Sequence, residues 1–229
     1  VHFEEDLIEK GEIDKLVAGE PEGFLNARDS FYIISHTGIQ VAHPVLVSRD
    51  ERITSLPTGM KYPVVMKATG ILHKTEKNAV ALDLRSLQEL QEAQLRLAEI
   101  EGCTGLLIQQ MTEGTEVYIG AKRIDGYHPL VLFGAGGIFI EVLQDIKSIL
   151  SPVDSDQVMK LLRGLKSYRI LKGIRGQQGI DLEAFAQAVV RVAALVHAVP
   201  RIRELDINPL MAGPDSLTAV DVRIRLSPP

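Results

Sequence analysis

The chain has 229 residues, 45% of them apolar and 24% charged. That is enough to bury a full hydrophobic core without disulfide or metal staples, and it argues against disorder. A net charge of −5 excludes a broad nucleic-acid footprint, and no apolar run approaches the ~20 residues of a membrane span.

At about 150 residues per domain, the length allows one large domain or two lobes. The opening Val1–Asp6 has neither the basic region nor the apolar core of a secretory signal. A single cysteine, Cys103, excludes an internal disulfide framework and fits a reducing compartment. Cys103 itself reads as a small buried residue rather than a nucleophile. The expected setting is therefore the cytoplasm.

In chain order, Leu7, Ile8, Ile13, Leu16 and Val17 form a short amphipathic helix ahead of a loop at Gly19–Gly23. Phe31–Ile34 reads as helix or strand, Val45–Val47 as a short strand, and Arg49–Met60 as a polar connection broken by Pro57 and Gly59. Tyr62–Ala68 is a β-branched strand and Ala79–Leu84 a second. Ser86 and Glu89 make a capping-box pair opening a helix striped with Leu87, Leu90, Ala93, Leu97 and Ile100.

Gly105–Met111 is a buried strand. Glu116–Lys122 and Pro129–Phe133 read as an antiparallel pair turning at Asp125-Gly126. Helices follow Asp154 (Val158, Leu161, Leu162 and Leu165 inward) and Asp181 (Phe185, Val189, Val192 and Val196 inward), with the loop Lys172–Gly176 between them. Segments 203–210 and 217–223 read as adjacent strands. The seam falls near residues 102–112. It gives an N-terminal extension at 1–30, a first lobe at 31–104 and a second lobe at 105–229.

Four segments carry candidate chemistry. Lys67 closes an apolar strand, as a snorkelling surface residue or as a cation over phosphate oxygens. His73, in Leu72-His73-Lys74-Thr75-Glu76-Lys77, is a solvated loop residue or a nucleophile whose flanking lysines attract a phosphoryl donor. Phe133-Gly134-Ala135-Gly136-Gly137-Ile138-Phe139-Ile140-Glu141 is a tight turn or a phosphate cradle. It matches neither the Walker A pattern nor Gly-x-Gly-x-x-Gly.

The fourth is Asp206-Ile207-Asn208-Pro209, with Asp221 thirteen positions beyond Asn208 (221 − 208). In an extended segment Asp206 and Asn208 share a face. Asp221 inside the apolar run 217–222 is costly to bury unless paired, for instance with Arg223, or bound to a metal. Oxygen ligands of this kind, few in number, suit Mg²⁺ held jointly with nucleotide phosphates.

In this order, Tyr62–Lys67, Ile71–Lys74, Phe133–Glu141, Leu171–Gly176, Glu204–Pro209 and Ala219–Arg223 resemble the ATP-grasp domain of ADP-forming acyl-CoA synthetases. More distantly they resemble the β subunit of succinyl-CoA synthetase. The likeness covers residues 31–226. It implies an α+β (α/β) ATP-grasp fold of two lobes that clamp ATP or ADP with Mg²⁺. Lys67 is then expected on the phosphates, Gln109, Gln110 and Met111 along the adenine pocket, and Glu116 near the nucleotide. Gly134, Gly136, Gly137 and Glu141 fall near the phosphates and metal, with Glu141 carried as catalytic. Asn208 and Asp221 match the magnesium ligands, and His73 matches a loop histidine that relays phosphate.

The implied reaction is acyl-CoA + ADP + phosphate ⇌ acid + CoA + ATP. The CoA-binding half is missing, so the resemblance implies a CoA-binding α partner, with α2β2 as precedent and no nucleic acid or membrane involved. The pattern departs at Thr75-Glu76-Lys77-Asn78-Ala79, where the family carries Ser-Asp-x-Gly-Gly, and at Ile149, where it often has arginine beside Lys147 here. Those departures keep open a non-catalytic nucleotide-binding regulatory or scaffold subunit; a third reading is another ATP-grasp carboxylate ligase acting without phosphohistidine, against which Leu72-His73-Lys74 argues.

Overall fold

A computed structural model describes residues 7–71, 79–137, 144–174, 176 and 178–228. The chain divides into two compact units, one containing residues up to Val41 and from Glu113 onward, the other Ala42–Thr112. This differs from the expected division. Residues 7–41, read as an extension and the start of a first lobe, belong with the later part of the chain. The strand at Gly105, assigned to the second lobe, belongs with residues 42–112.

The larger unit starts with helix α1 (Lys10–Gly19), which buries Ile13 and Val17, and strand β1 (Gly23–Phe24). Helix α2 (Ala27–Ser35) settles the ambiguity at Phe31–Ile34 as helix. Asn26 caps it, accepting from the Asp29 N–H at 3.0 Å. Strand β2 (Gln40–Val41) ends this first pass.

The smaller unit holds β3 (Val45–Val47), β4 (Val64–Thr69), β5 (Val80–Leu84), helix α3 (Leu87–Ala98) and β6 (Gly105–Gln110), with sheet order β3-β6-β4-β5. Strand β6 is sandwiched between β3 and β4, which is why a boundary at residue 104 would cut the sheet through its middle. Helix α3 packs on β4, β5 and β6. Beneath it Val64, Met66, Ala68, Leu90, Leu97, Leu106 and Ile108 form the core. Ser86 accepts from the Glu89 N–H at 3.2 Å, but the Glu89 carboxylate takes the Arg85 N–H at 2.7 Å, so the expected reciprocal box is displaced by one residue. The polar stretch 49–60 is pinned to α3, because Gln91 donates to the Ile53 carbonyl at 2.8 Å and Gln94 accepts from the Ile53 N–H at 3.2 Å.

The chain then returns to the larger unit with β7 (Thr115–Lys122), β8 (Leu130–Ala135) and β9 (Ile146–Leu150). Helices α4 (Ser155–Leu162), α5 (Tyr168–Lys172) and α6 (Leu182–Ala198) follow. Strands β10 (Ile202–Ala212), β11 (Leu217–Ala219) and β12 (Val222–Leu226) close the unit. Its sheet runs β1-β12-β10-β7-β8-β9, with β11 pairing β10 and β2. Strands β7 and β8 are antiparallel, as expected from their turn. Asp154 opens α4 with a full capping box to Gln157, a signal the sequence reading missed.

Helix α6 packs on β7, β8, β10 and α4. Phe185, Val189, Val192 and Val196 join Val117, Ile119, Phe133, Leu205, Ile207 and Ile224 in one core. Strand alternation then puts Glu116, Tyr118, Gly120 and Lys122 of β7, Glu204 and Asp206 of β10, and Arg223 and Arg225 of β12 on the opposite, open face. Among the described residues no helix is long and apolar enough to cross a membrane.

Candidate functional site

In the smaller unit Lys67 is the fourth residue of β4, with Leu107 on one side and Val80 on the other. It lies inside the strand rather than closing it, and it is only 9% exposed. Alternation places it with Val65, Leu107 and Gln109 on the sheet face away from the α3 core. An ammonium this far from water carries a desolvation cost unless charge or hydrogen bonds compensate it.

The end of β6 presents Gln109, Gln110 and Met111, and two of those three use their side chains internally. Gln109 donates to the Ala42 carbonyl at 2.7 Å, and Gln110 accepts from the Lys61 N–H at 2.8 Å. The Met111 N–H donates to the Pro63 carbonyl at 3.1 Å. Gln109 is thus spoken for by the fold, while Gln110 stays exposed and Met111 partly exposed.

In the larger unit the structure brings Glu116 and the glycine segment together. The Gly136 N–H donates to the Glu116 carbonyl at 2.7 Å. A Cβ on Gly136 would sit 2.9 Å from the Glu116 carbonyl carbon, inside contact distance. Gly137 has φ +56, and a Cβ there would collide with the Glu116 carboxylate. Gly134 serves another purpose, since its bare Cα lets the Asp145 backbone pass close.

Asn208 and Asp221 are also brought together. The Asn208 N–H donates to the Asp221 carbonyl at 3.1 Å, and the Val220 N–H to the Pro209 carbonyl at 3.2 Å. Asp221 lies in the break between β11 and β12, not inside a continuous strand as expected. The pairing of β10 with β7 shifts register between Ile207 and Leu210, so Asn208 sits in an irregular stretch. Asn208 is exposed and Asp221 partly exposed. One neutral and one anionic oxygen donor fit a hard cation that draws its remaining ligands from phosphate and water. Among the described residues no cluster of three or more His, Cys, Asp or Glu could hold a metal alone.

Beside this pair the Tyr118 hydroxyl donates to Asp206 Oδ1 at 2.8 Å. Burial, followed by the Asp206 charge and that hydrogen bond, pushes the Tyr118 phenol above the ordinary tyrosine range.

Asp145 was overlooked by the sequence reading. It is 4% exposed and accepts from the Lys166 and Ser167 N–H groups at 2.8 and 2.7 Å, the entry of α5. Burial alone would raise its carboxyl, but Ser167, the two backbone N–H groups and the Lys166 charge outweigh this and hold it below the ordinary value. Lys147, the cation near Ile149, lies on the core side of β9 across from Phe133. Its Nζ would be 3.6 Å from a Cβ on Gly164, so it lies against the end of α4 rather than on the open face. His73, Glu141 and the altered segment 75–78 lie outside the described residues.

A family model for the ATP-grasp domain matches residues 17–226, and the chain belongs to that family. The chain is similar to the β subunit of ADP-forming acetate–CoA ligase I of Pyrococcus furiosus, at 32% identity over 231 residues, covering 96% of this chain and 97% of that one. It is also similar to the ADP-forming acetate–CoA ligase I of Archaeoglobus fulgidus, at 30% identity, where 93% of this chain matches 32% of the longer protein.

Among solved structures, the dinucleotide-forming acetyl-coenzyme A synthetase 1 of Ca. Korarchaeum cryptofilum was determined with coenzyme A and Mg-AMPPCP. Its phosphohistidine segment points towards the nucleotide binding site. It aligns with a TM-score of 0.77 and 29% identity over 94% of this chain and 100% of that one. The homologues are thus the ATP-grasp β subunits or domains of ADP-forming acyl-CoA synthetases, which are acid–thiol ligases.

Proposed function

We propose that the chain is the ATP-grasp subunit of an ADP-forming acyl-CoA synthetase, working on Mg-ATP and Mg-ADP and relaying phosphoryl through His73. The observation that carries this reading is the Asn208–Asp221 pair, joined by a 3.1 Å backbone hydrogen bond in the same unit as the Glu116–Gly137 contact. Phosphoryl transfer depends on positioning and charge neutralisation more than on covalent help.

Lys67 supplies a fixed positive charge to the phosphates. The bare backbone of Gly137 lets phosphate oxygens approach closely because no Cβ intervenes, while Gly134 and Gly136 hold the segment against Asp145 and Glu116. Glu116 and Glu141 border that segment. Gln110 and Met111 line the adenine, with Gln109 acting through its backbone and its tie to Ala42. Asn208 and Asp221 hold Mg²⁺, which when bound neutralises charge developing on the phosphates. In the ATP-forming direction, a terminal oxygen of ADP attacks phosphorus on His73. The N–P bond breaks, and its electron pair returns to the imidazole nitrogen. His73 collects its phosphoryl group from a CoA-binding α partner in an α2β2 assembly in the cytoplasm.

Calorimetry with Mg-ATP on the chain, alone and with its α partner, tests this beside Asn208→Ala and Asp221→Ala. Magnesium-dependent binding that both variants lose is the expected result. No binding by the folded chain in either form overturns the reading. Binding without ³²P transfer to His73 favours the regulatory or scaffold role.

A further inference from the structure

The open face of the larger sheet carries an interaction that the nucleotide-site residues do not explain. Tyr118 reaches Asp206 on the neighbouring strand, but Asp206 stands directly across from Gly120, not from Tyr118. The tyrosine must therefore lean along its own strand, over Gly120. A Cβ at Gly120 would overlap the Tyr118 hydroxyl and lie 3.1 Å from Asp206 Oδ1, filling the place of the hydrogen bond. Gly120 is thus the residue that opens room for the Tyr118–Asp206 pair.

On its other side Asp206 faces Arg223 of β12, an exposed cation directly opposite it in register. No ion pair joins the two, although they stand directly opposite and a cross-strand charge pair there would be ordinary. Asp206 is thus held by a neutral donor rather than by an ion pair. A hydroxyl fixes the carboxylate in place without neutralising it, which an arginine would not do. Two residues further along β10 lies Asn208, the cation ligand of the proposed site.

We propose that Tyr118 is a positioning residue for the phosphoryl-transfer reaction. It fixes Asp206 with Oδ1 committed to its hydroxyl and Oδ2 available on the open face beside Asn208, and Gly120 makes that geometry possible. The raised phenol supports this, since the hydroxyl remains a donor across the neutral and mildly alkaline range. The proposal rests on the nucleotide-site reading above and adds to it the residue that orients its neighbouring carboxylate.

The test uses the complex with the α partner, assayed for ATP formation from acyl-CoA, ADP and phosphate. Tyr118→Phe removes only the hydroxyl. Expected is a roughly tenfold or larger fall in kcat, the effect of losing one positioning hydrogen bond of about 1.4 kcal/mol. KM for ADP stays within about twofold, and the melting temperature within about 2 °C, since a structural bond alone would move the latter and not kcat.

Asp206→Asn falls at least as far, and adding Tyr118→Phe to it costs nothing further, because the tyrosine acts through that carboxylate. Asp206→Glu keeps the charge but displaces it, and it is expected to fall as Tyr118→Phe does; this arm stands even if Tyr118→Phe does not fold. Wild-type turnover with Tyr118→Phe and Asp206→Glu both within twofold of it overturns the proposal alone. Effects that multiply in the double variant also overturn it. A wild-type complex that neither binds Mg-ATP nor forms ATP overturns the nucleotide-site reading and this proposal with it.

Discussion

Gly137 shows how one missing methyl group shapes the proposed site. Its φ of +56 is a conformation L side chains rarely adopt, and the space a Cβ would take is held by the Glu116 carboxylate. Gly137→Ala is expected to push Glu116 aside and weaken Mg-ATP binding by about tenfold while the fold survives, since one strained residue costs about 1–2 kcal/mol. Calorimetry beside a circular dichroism spectrum checks it.

Asp145 works at the same scale but for stability. Its folded carboxyl is held below the ordinary carboxylate value, so its contribution is full above that value and is lost as pH falls through the folded one. Asp145→Asn leaves one of two amides poorly paired and is expected to cost about 2 kcal/mol at pH 7. The gap between wild type and variant should shrink below about pH 4, where the unfolded carboxyl already takes up its proton. Urea melts at a series of pH values read this directly.

At the scale of elements, the first 41 residues are not an appendage. Ile13 and Val17 of α1, and Phe31, Ile33 and Ile34 of α2, are buried in the larger core, and β1 pairs with β12. Two arginines secure the segment from the far end of the sequence. Arg191 donates to the carbonyls of Leu7 at 3.1 Å and Thr37 at 2.6 Å. Arg201 donates to those of Val17, Glu20 and Ser227. A chain begun at residue 31 would lose α1, β1 and half of α2, exposing the core they cover. It is expected to be insoluble or to lack a cooperative melt, whereas Arg201→Ala should fold with a loss of about 1–3 kcal/mol.

At the scale of the whole molecule, the smaller unit is one continuous segment, and the larger is built from both sides of it. The larger sheet therefore requires pairings between residues distant in sequence, such as Thr218 with Gln40. A ligand that binds only the folded chain stabilises it by about 2.7 kcal/mol at a hundredfold excess over Kd. For a chain of this size that is a rise of roughly 5–10 °C in melting temperature. Thermal scans with Mg-ATP should show this shift, and Asn208→Ala should abolish it.

Much of this is legible in the sequence. Residue spacing marked α3 and α6, turn chemistry marked the β7–β8 hairpin, and the order of short motifs pointed to the ATP-grasp family. These are local signals, set by 3.6-residue and two-residue periodicities and by glycine and proline. Tertiary structure alone decided the rest. The grouping of residues 7–41 with the later chain depends on which distant apolar faces bury one another, and no local pattern encodes that. Lys67 falls inside β4 because strand pairing, not composition, sets where a strand ends. Asp145 caps a helix more than twenty residues away, and Tyr118 meets Asp206 across 88 positions. The Tyr118–Asp206 contact exists only once β7 and β10 lie side by side, because a hydrogen bond depends on distance in space and spacing along the chain does not report it.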